Sequence, residues 1–110
     1  MVAKTQVHAG VCGFVTTATA SSDDDQQVTF DLTSDCGNIE RLSNALQTQM
    51  PFDAYQEIRG ADHSRLLQTT RQELTGCCAG CVVPVALFKA MQVAAGLALP
   101  ADFHVSMTKE

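Results

Sequence analysis

Three of the five cysteines fall within Thr75-Gly76-Cys77-Cys78-Ala79-Gly80-Cys81-Val82-Val83-Pro84, which runs directly into the most apolar segment of the chain. Pro84 suits the first turn of a helix, where the N–H it lacks would have had no partner. Cys81, and Cys78 with it, is therefore expected at or just before a helix N-terminus. Unpaired N–H groups and the helix dipole favour a thiolate over a thiol at such a place. A chain built around this stretch must bury the helix that follows and leave its thiols at one end of it. The stretch reads as a metal site or a reactive-thiol site.

The rest of the chain narrows the choice. One hundred and ten residues, 1–110, fit a single domain large enough to bury a core without disulfides. A net charge of −5 disfavours a nucleic-acid partner, which would call for a basic surface. The segment Met1-Val2-Ala3-Lys4-Thr5-Gln6 has no apolar stretch, so no secretory leader is expected. The apolar run from Val82 to Leu99 is interrupted by Pro84, Lys89 and Gln92, and a buried helix is expected there rather than a membrane span. Cytoplasmic, reducing surroundings follow, and under them five cysteines read as ligands or catalytic groups rather than as a disulfide frame.

Periodicity supplies the elements. Val11 to Ala20 is rich in small and β-branched residues and reads as a strand. The acidic loop Ser21–Gln27 follows, and then Val28, Phe30 and Leu32 alternate with Thr29, Asp31 and Thr33 in a second strand with one buried face. Whether Thr5–Gly10 forms a separate strand or a lead-in is left open by its composition. Ser34-Asp35 can cap a helix carrying Ile39, Leu42, Leu46 and Met50, which Pro51 stops. Asp53 can cap a short helix with Ala54, Tyr55 and Ile58. Asp62 or Ser64 can cap a third, with Leu66, Leu67, Thr70 and Leu74 inward. The last helix, about Val83 to Ala98, is apolar almost all round and should be central. Phe103, Val105 and Met107 alternate with His104, Ser106 and Thr108 and read as a final strand. The expected class is α+β: a small antiparallel sheet, made of the N-terminal hairpin plus this C-terminal strand, packed against about four helices.

Each cysteine lies at an element boundary. Cys12-Gly13 opens the first strand, Cys36-Gly37 sits where the second strand meets a helix, and Cys77, Cys78 and Cys81 precede the central helix. In a hairpin the start of the first strand and the end of the second are neighbours, so Cys12 and Cys36 should be close. A central helix packed on that sheet can bring its N-terminal cysteines to the same corner. Thiols converging from three remote segments suit a tetrahedral zinc site or an iron–sulfur cluster. The competing reading treats cysteine as a small buried hydrophobe. His8 can serve as a further ligand or support one, though a solvent-facing strand position explains it equally. His63 and His104 read as surface residues. The Asp23-Asp24-Asp25 run lacks calcium-loop spacing and reads as a solvated loop.

This pattern resembles the iron–sulfur cluster scaffold proteins of the IscU/NifU N-terminal type, which carry one Cys-Gly in a strand hairpin, another at the junction into a helix, and a third cysteine before a late helix. Those places are filled here by Cys12-Gly13, Cys36-Gly37 and Cys77-Cys78-Ala79-Gly80-Cys81, leading to Leu87-Phe88-Lys89-Ala90. The resemblance covers roughly residues 11 to 95 and implies a SufE/NifU-like fold, with Cys12, Cys36 and either Cys78 or Cys81 holding a cluster. Phe14 stands where the family has an acidic residue, Cys77-Cys78 replaces its His-Cys pair, and Glu73-Leu74-Thr75-Gly76 replaces its chaperone-recognition segment.

Three functions are therefore expected in order. The first is a binding protein rather than an enzyme, holding zinc or an iron–sulfur cluster through Cys12, Cys36, Cys78 and Cys81, with Cys77 as an alternative ligand. The second is a thiol enzyme or sulfur carrier using Cys78 or Cys81 without a resident metal. The third is an interaction module with structural cysteines, pairing with a second copy or another protein. No Gly-x-Ser-x-Gly, phosphate loop or paired acid/base motif points to a hydrolase.

Overall fold

The computed structural model describes all 110 residues. It is α+β, with one four-stranded antiparallel sheet in the order β1-β2-β3-β4 and the helices packed on it. The strands are β1 (Val2–His8), β2 (Val15–Ser21), β3 (Gln27–Ser34) and the two-residue β4 (Phe52–Asp53). The helices are α1 (Gly37–Gln47), α2 (Ala54–Glu57), α3 (Arg65–Glu73) and α4 (Val83–Ala94), with short 3₁₀ turns at Ala61–His63 and Gly76–Gly80.

Alternation explains the sheet. In β2 the residues Thr16, Ala18 and Ala20 point inward, and in β3 Val28 and Phe30 do, while Thr17, Thr19, Thr29, Asp31 and Thr33 face out. The register sets Ala18 opposite Leu32 and Ala20 opposite Phe30, so the apolar face is continuous across the hairpin. The connecting loop is held by Asp24, whose carboxylate accepts from the backbone N–H of Gln27 at 2.7 Å and of Gln26 at 3.0 Å. Those two bonds hold the exposed Asp24 carboxyl below the usual carboxylate range, and the Ser22 hydroxyl at 3.3 Å adds to the effect.

Two expectations about the sheet need correcting. The strand beside β2 is N-terminal, Val2–His8, paired from Val2↔Ser21 to His8↔Val15. The C-terminal segment is not a strand: residues 99–110 are irregular, and Phe103, Val105 and Met107 are exposed. A period-2 pattern specifies a strand only where an edge and an apolar surface are both open. Here α4 already covers the apolar face of β1 and β2, where Ala3 and Val7 are buried, so no apolar surface remains beside the outer edge of β1. The tail instead turns back along α4, where the Lys89 ammonium lies 5.5 Å from the Phe103 ring centre.

The helices follow their apolar stripes. Ile39, Leu42 and Leu46 bury one side of α1, which packs on β3. Asp53 caps α2 by accepting from Tyr55 and Gln56, and Ser64 caps α3 by accepting from Leu67. A second cap on α3 comes from farther away: the Glu57 carboxylate, 2 % exposed, accepts from the Leu66 backbone N–H at 3.2 and 3.3 Å. Helix α4 lies across β1 and β2 and buries Val83, Ala86, Leu87, Ala90, Met91 and Ala94. It ends at Ala94, earlier than Pro100 would impose, because Gly96 at φ +74° takes the left-handed conformation that closes a helix. The 19-residue stretch Gly76–Ala94 is long and apolar enough to cross a membrane by length and composition. It is not one helix, however: Cys81 at φ −60°, ψ 137° is extended and separates the 3₁₀ turn from α4. Twelve residues of α-helix reach only about 18 Å.

Candidate metal centre

The cysteines come from three connections at one end of the sheet. Cys12 lies in the turn between β1 and β2, not at the start of a strand. The Gly13 N–H donates to the Gly10 carbonyl at 2.9 Å, so Val11 and Cys12 are the two central residues of a tight turn. Both flanking glycines have positive φ, Gly10 at +86° and Gly13 at +74°, a conformation that side chains with a Cβ rarely take. The outcome is an exposed thiol at the tip of a rigidly closed hairpin.

Cys36 is itself the N-cap of α1, and its side chain makes no capping bond. The expected cap, Ser34-Asp35, acts differently. Ser34 ends β3, receives a hydrogen bond from the Thr16 hydroxyl at 3.0 Å, and accepts the Cys36 backbone N–H at 3.1 Å. That relay ties β2, β3 and the start of α1 together and fixes the half-buried Cys36 against the core. Because Thr16 pairs with Ser34 in the sheet, the Cys12 turn and Cys36 emerge at the same end of the hairpin.

Cys77 and Cys78 belong to the 3₁₀ turn Gly76–Gly80, and Cys81 follows it. The Cys78 N–H donates to the Thr75 carbonyl at 3.2 Å, and the Cys81 N–H to the Cys78 carbonyl at 3.1 Å. This winding separates the vicinal pair: Cys77 is exposed, while Cys78 and Cys81 are half-buried and pack on the core. One residue that no motif or spacing singles out joins the turn to α1. The side-chain amide of Asn38, in the first turn of α1, donates to the Cys78 sulfur at 3.0 Å.

Burial pushes the Cys81 thiol above its ordinary value, against a lowering by the Val83 backbone N–H. The proximity of Cys78, Cys12 and Cys36 adds smaller contributions to the upward shift of Cys81. The expectation that the helix N-terminus would make Cys81 a ready thiolate is thus corrected. The N–H acts in the expected direction, but desolvation outweighs it.

No group of three or more His, Cys, Asp or Glu side chains is placed to hold a metal ion in this structure. His8 is exposed at the end of β1, and His63 and His104 are exposed far along the chain. The donor set at the corner is all sulfur, which matches soft-metal ligation and not calcium or magnesium.

No curated protein and no solved structure matches the chain. A family model matches residues 3–107, nearly the whole length, and the chain belongs to that family, which is described as a family of unknown function, DUF6951.

Proposed function

We propose that the protein binds zinc or an iron–sulfur cluster through Cys12, Cys36, Cys78 and Cys81, acting as a binding or carrier protein. The observation that carries the reading is topological. Three connections remote in sequence, after β1, after β3 and before α4, deliver thiols to one end of one sheet. Structural packing of small hydrophobes would not call for an exposed cysteine at the tip of a glycine-bracketed turn, where it buries nothing.

Four thiols fit the chemistry of either group, and a bound cation would offset the burial, and the smaller repulsion from neighbouring thiols, that raise Cys81. Cys36, Cys78 and Cys81 are anchored to the core, so they would form the fixed part of the site. Cys12 would be the solvent-facing ligand. A scaffold-like role in cluster assembly is the form of this reading that the resemblance to the IscU/NifU type suggests. A ligand on a solvent-facing turn is compatible with loading and release. Ligation requires deprotonated thiols, so affinity should weaken as pH falls.

The test is elemental analysis and a visible spectrum on protein purified without air. Iron and sulfide with broad absorbance above about 400 nm support a cluster. About one zinc per chain in a colourless sample supports a zinc site. Cys12→Ser and Cys36→Ser should each abolish stoichiometric binding. A chain that carries no metal and takes up none when zinc or iron and sulfide are supplied refutes the reading.

A further inference from the structure

Asn38 sits at the second position of α1, where a polar side chain normally faces water or the helix end. Its amide instead reaches the 3₁₀ turn 40 residues further along the chain and donates to the Cys78 sulfur at 3.0 Å. The adjacent Cys77 is exposed, and no hydrogen bond reaches it. We infer that Asn38 is the positioning residue of the thiol corner, selecting Cys78 over Cys77 as the sulfur that joins Cys81, Cys36 and Cys12. The inference rests on the metal-binding reading above and decides which of two neighbouring thiols serves it.

Both the hydrogen bond and the helix that carries it favour Cys78. A donor held on a sulfur disperses charge from a thiolate ligand and fixes the rotamer that presents its lone pairs. Asn38 is also carried by the same helix whose N-cap is Cys36. One rigid first turn therefore sets two of the four sulfurs, one as its own residue and one through a hydrogen bond. Nothing in the sequence Cys77-Cys78 distinguishes the two thiols. The distinction comes from α1.

The probe is cobalt(II), titrated anaerobically into the full-length chain and followed by the thiolate-to-cobalt charge-transfer absorption, whose intensity reports the number of sulfur ligands. Asn38→Leu keeps the side-chain shape and removes the donor. It should weaken cobalt binding by about 10- to 100-fold, the usual effect of losing a group that orients a ligand. Asn38→Asp should weaken it as well, by setting a carboxylate oxygen against the sulfur. The metal-free Asn38→Asp protein should melt no lower than the parent, because an acidic group in the first helical turn favours the helix dipole. A merely structural role would lower the melting temperature and leave affinity unchanged. Cys77→Ser should bind cobalt within about twofold of the parent with full charge-transfer intensity, and Cys78→Ser should lose intensity and affinity together.

Unchanged affinity in Asn38→Leu overturns the inference, as does a loss in Cys77→Ser that Cys78→Ser does not share. Tighter binding in Asn38→Asp also overturns it, since the carboxylate would then be a ligand in its own right. Absence of any cobalt, zinc or iron binding by the parent chain overturns the metal-binding reading itself, and is thereby distinguished from a failure of Asn38 alone.

Discussion

The buried cap on α3 allows a quantitative forecast. Glu57 is 2 % exposed, and both its carboxylate oxygens lie within 3.3 Å of the Leu66 N–H, one of the first-turn donors that has no partner inside the helix. Truncation by Glu57→Ala leaves that donor unsatisfied in a dry site, at a cost of about 1–3 kcal/mol. The vacated volume and the lost charge–dipole attraction at the helix start add about 1 kcal/mol more. We expect a total near 3 kcal/mol. Glu57→Gln keeps a carbonyl acceptor and the side-chain volume, and should cost only about 1 kcal/mol. Urea unfolding followed by circular dichroism reads both. With a slope of about 1.5 kcal/mol per molar for a chain of this size, Glu57→Ala should lower the midpoint by about 2 M. An alanine variant within about 0.5 kcal/mol of the parent would show that water satisfies Leu66 and that the cap contributes nothing. A glutamine variant more stable than the parent would show that desolvation of the carboxylate outweighs its bonds.

Two further outcomes follow from the same structure. The Asp24 carboxyl is held below its usual range in the folded chain, so it contributes stability above the unfolded value of 3.8, and that contribution is lost as pH falls through the lower folded value. Asp24→Asn should accordingly destabilise the chain at neutral pH, with the difference from the parent shrinking in acid; a difference that does not shrink as pH falls below 3.8 would contradict this account. Leu87 is fully buried on the inner face of α4, and Leu87→Ala should cost about 2–5 kcal/mol by equilibrium unfolding, whereas a loss below 1 kcal/mol would mean that the α4–sheet interface collapses to fill the space.

Much of the architecture is legible from spacing. The alternation of Val28, Phe30 and Leu32 places β3, the 3.6-residue stripe of Ile39, Leu42 and Leu46 places α1, and the caps Asp53 and Ser64 act as their types predict. β1 is hard to read because its inward residues are Ala3, Thr5 and Val7, a weak apolar signal. Phe103, Val105 and Met107 give a stronger signal of the same kind and yet stay outside the sheet. Pattern amplitude measures how well a segment could bury, not whether a vacancy awaits it. The five thiols are visible in the sequence; the nearness of Cys12 and Cys36 follows from hairpin geometry, and that of Cys78 and Cys81 from the packing of α4 on the sheet. Asn38 and Glu57 are invisible for one reason: each is a polar residue on a short helical turn, and its partner is fixed only by tertiary packing, 40 and 9 residues away.

Helix α4 closes on β1, the element made first against the element made nearly last. While the chain is being synthesised, β1, β2 and β3 can pair as local hairpins and α1 can cover β3, but the apolar face of β1 and β2 has no cover until α4 has emerged. The same delay applies to the sulfurs. Cys12 and Cys36 exist early, whereas Cys78 and Cys81 arrive only with the segment that completes the core. A chain made only as far as α3 therefore presents Cys12 and Cys36 without Cys78 and Cys81. The last thiols and the helix that covers β1 and β2 emerge together, and a chain truncated before Cys78 lacks both.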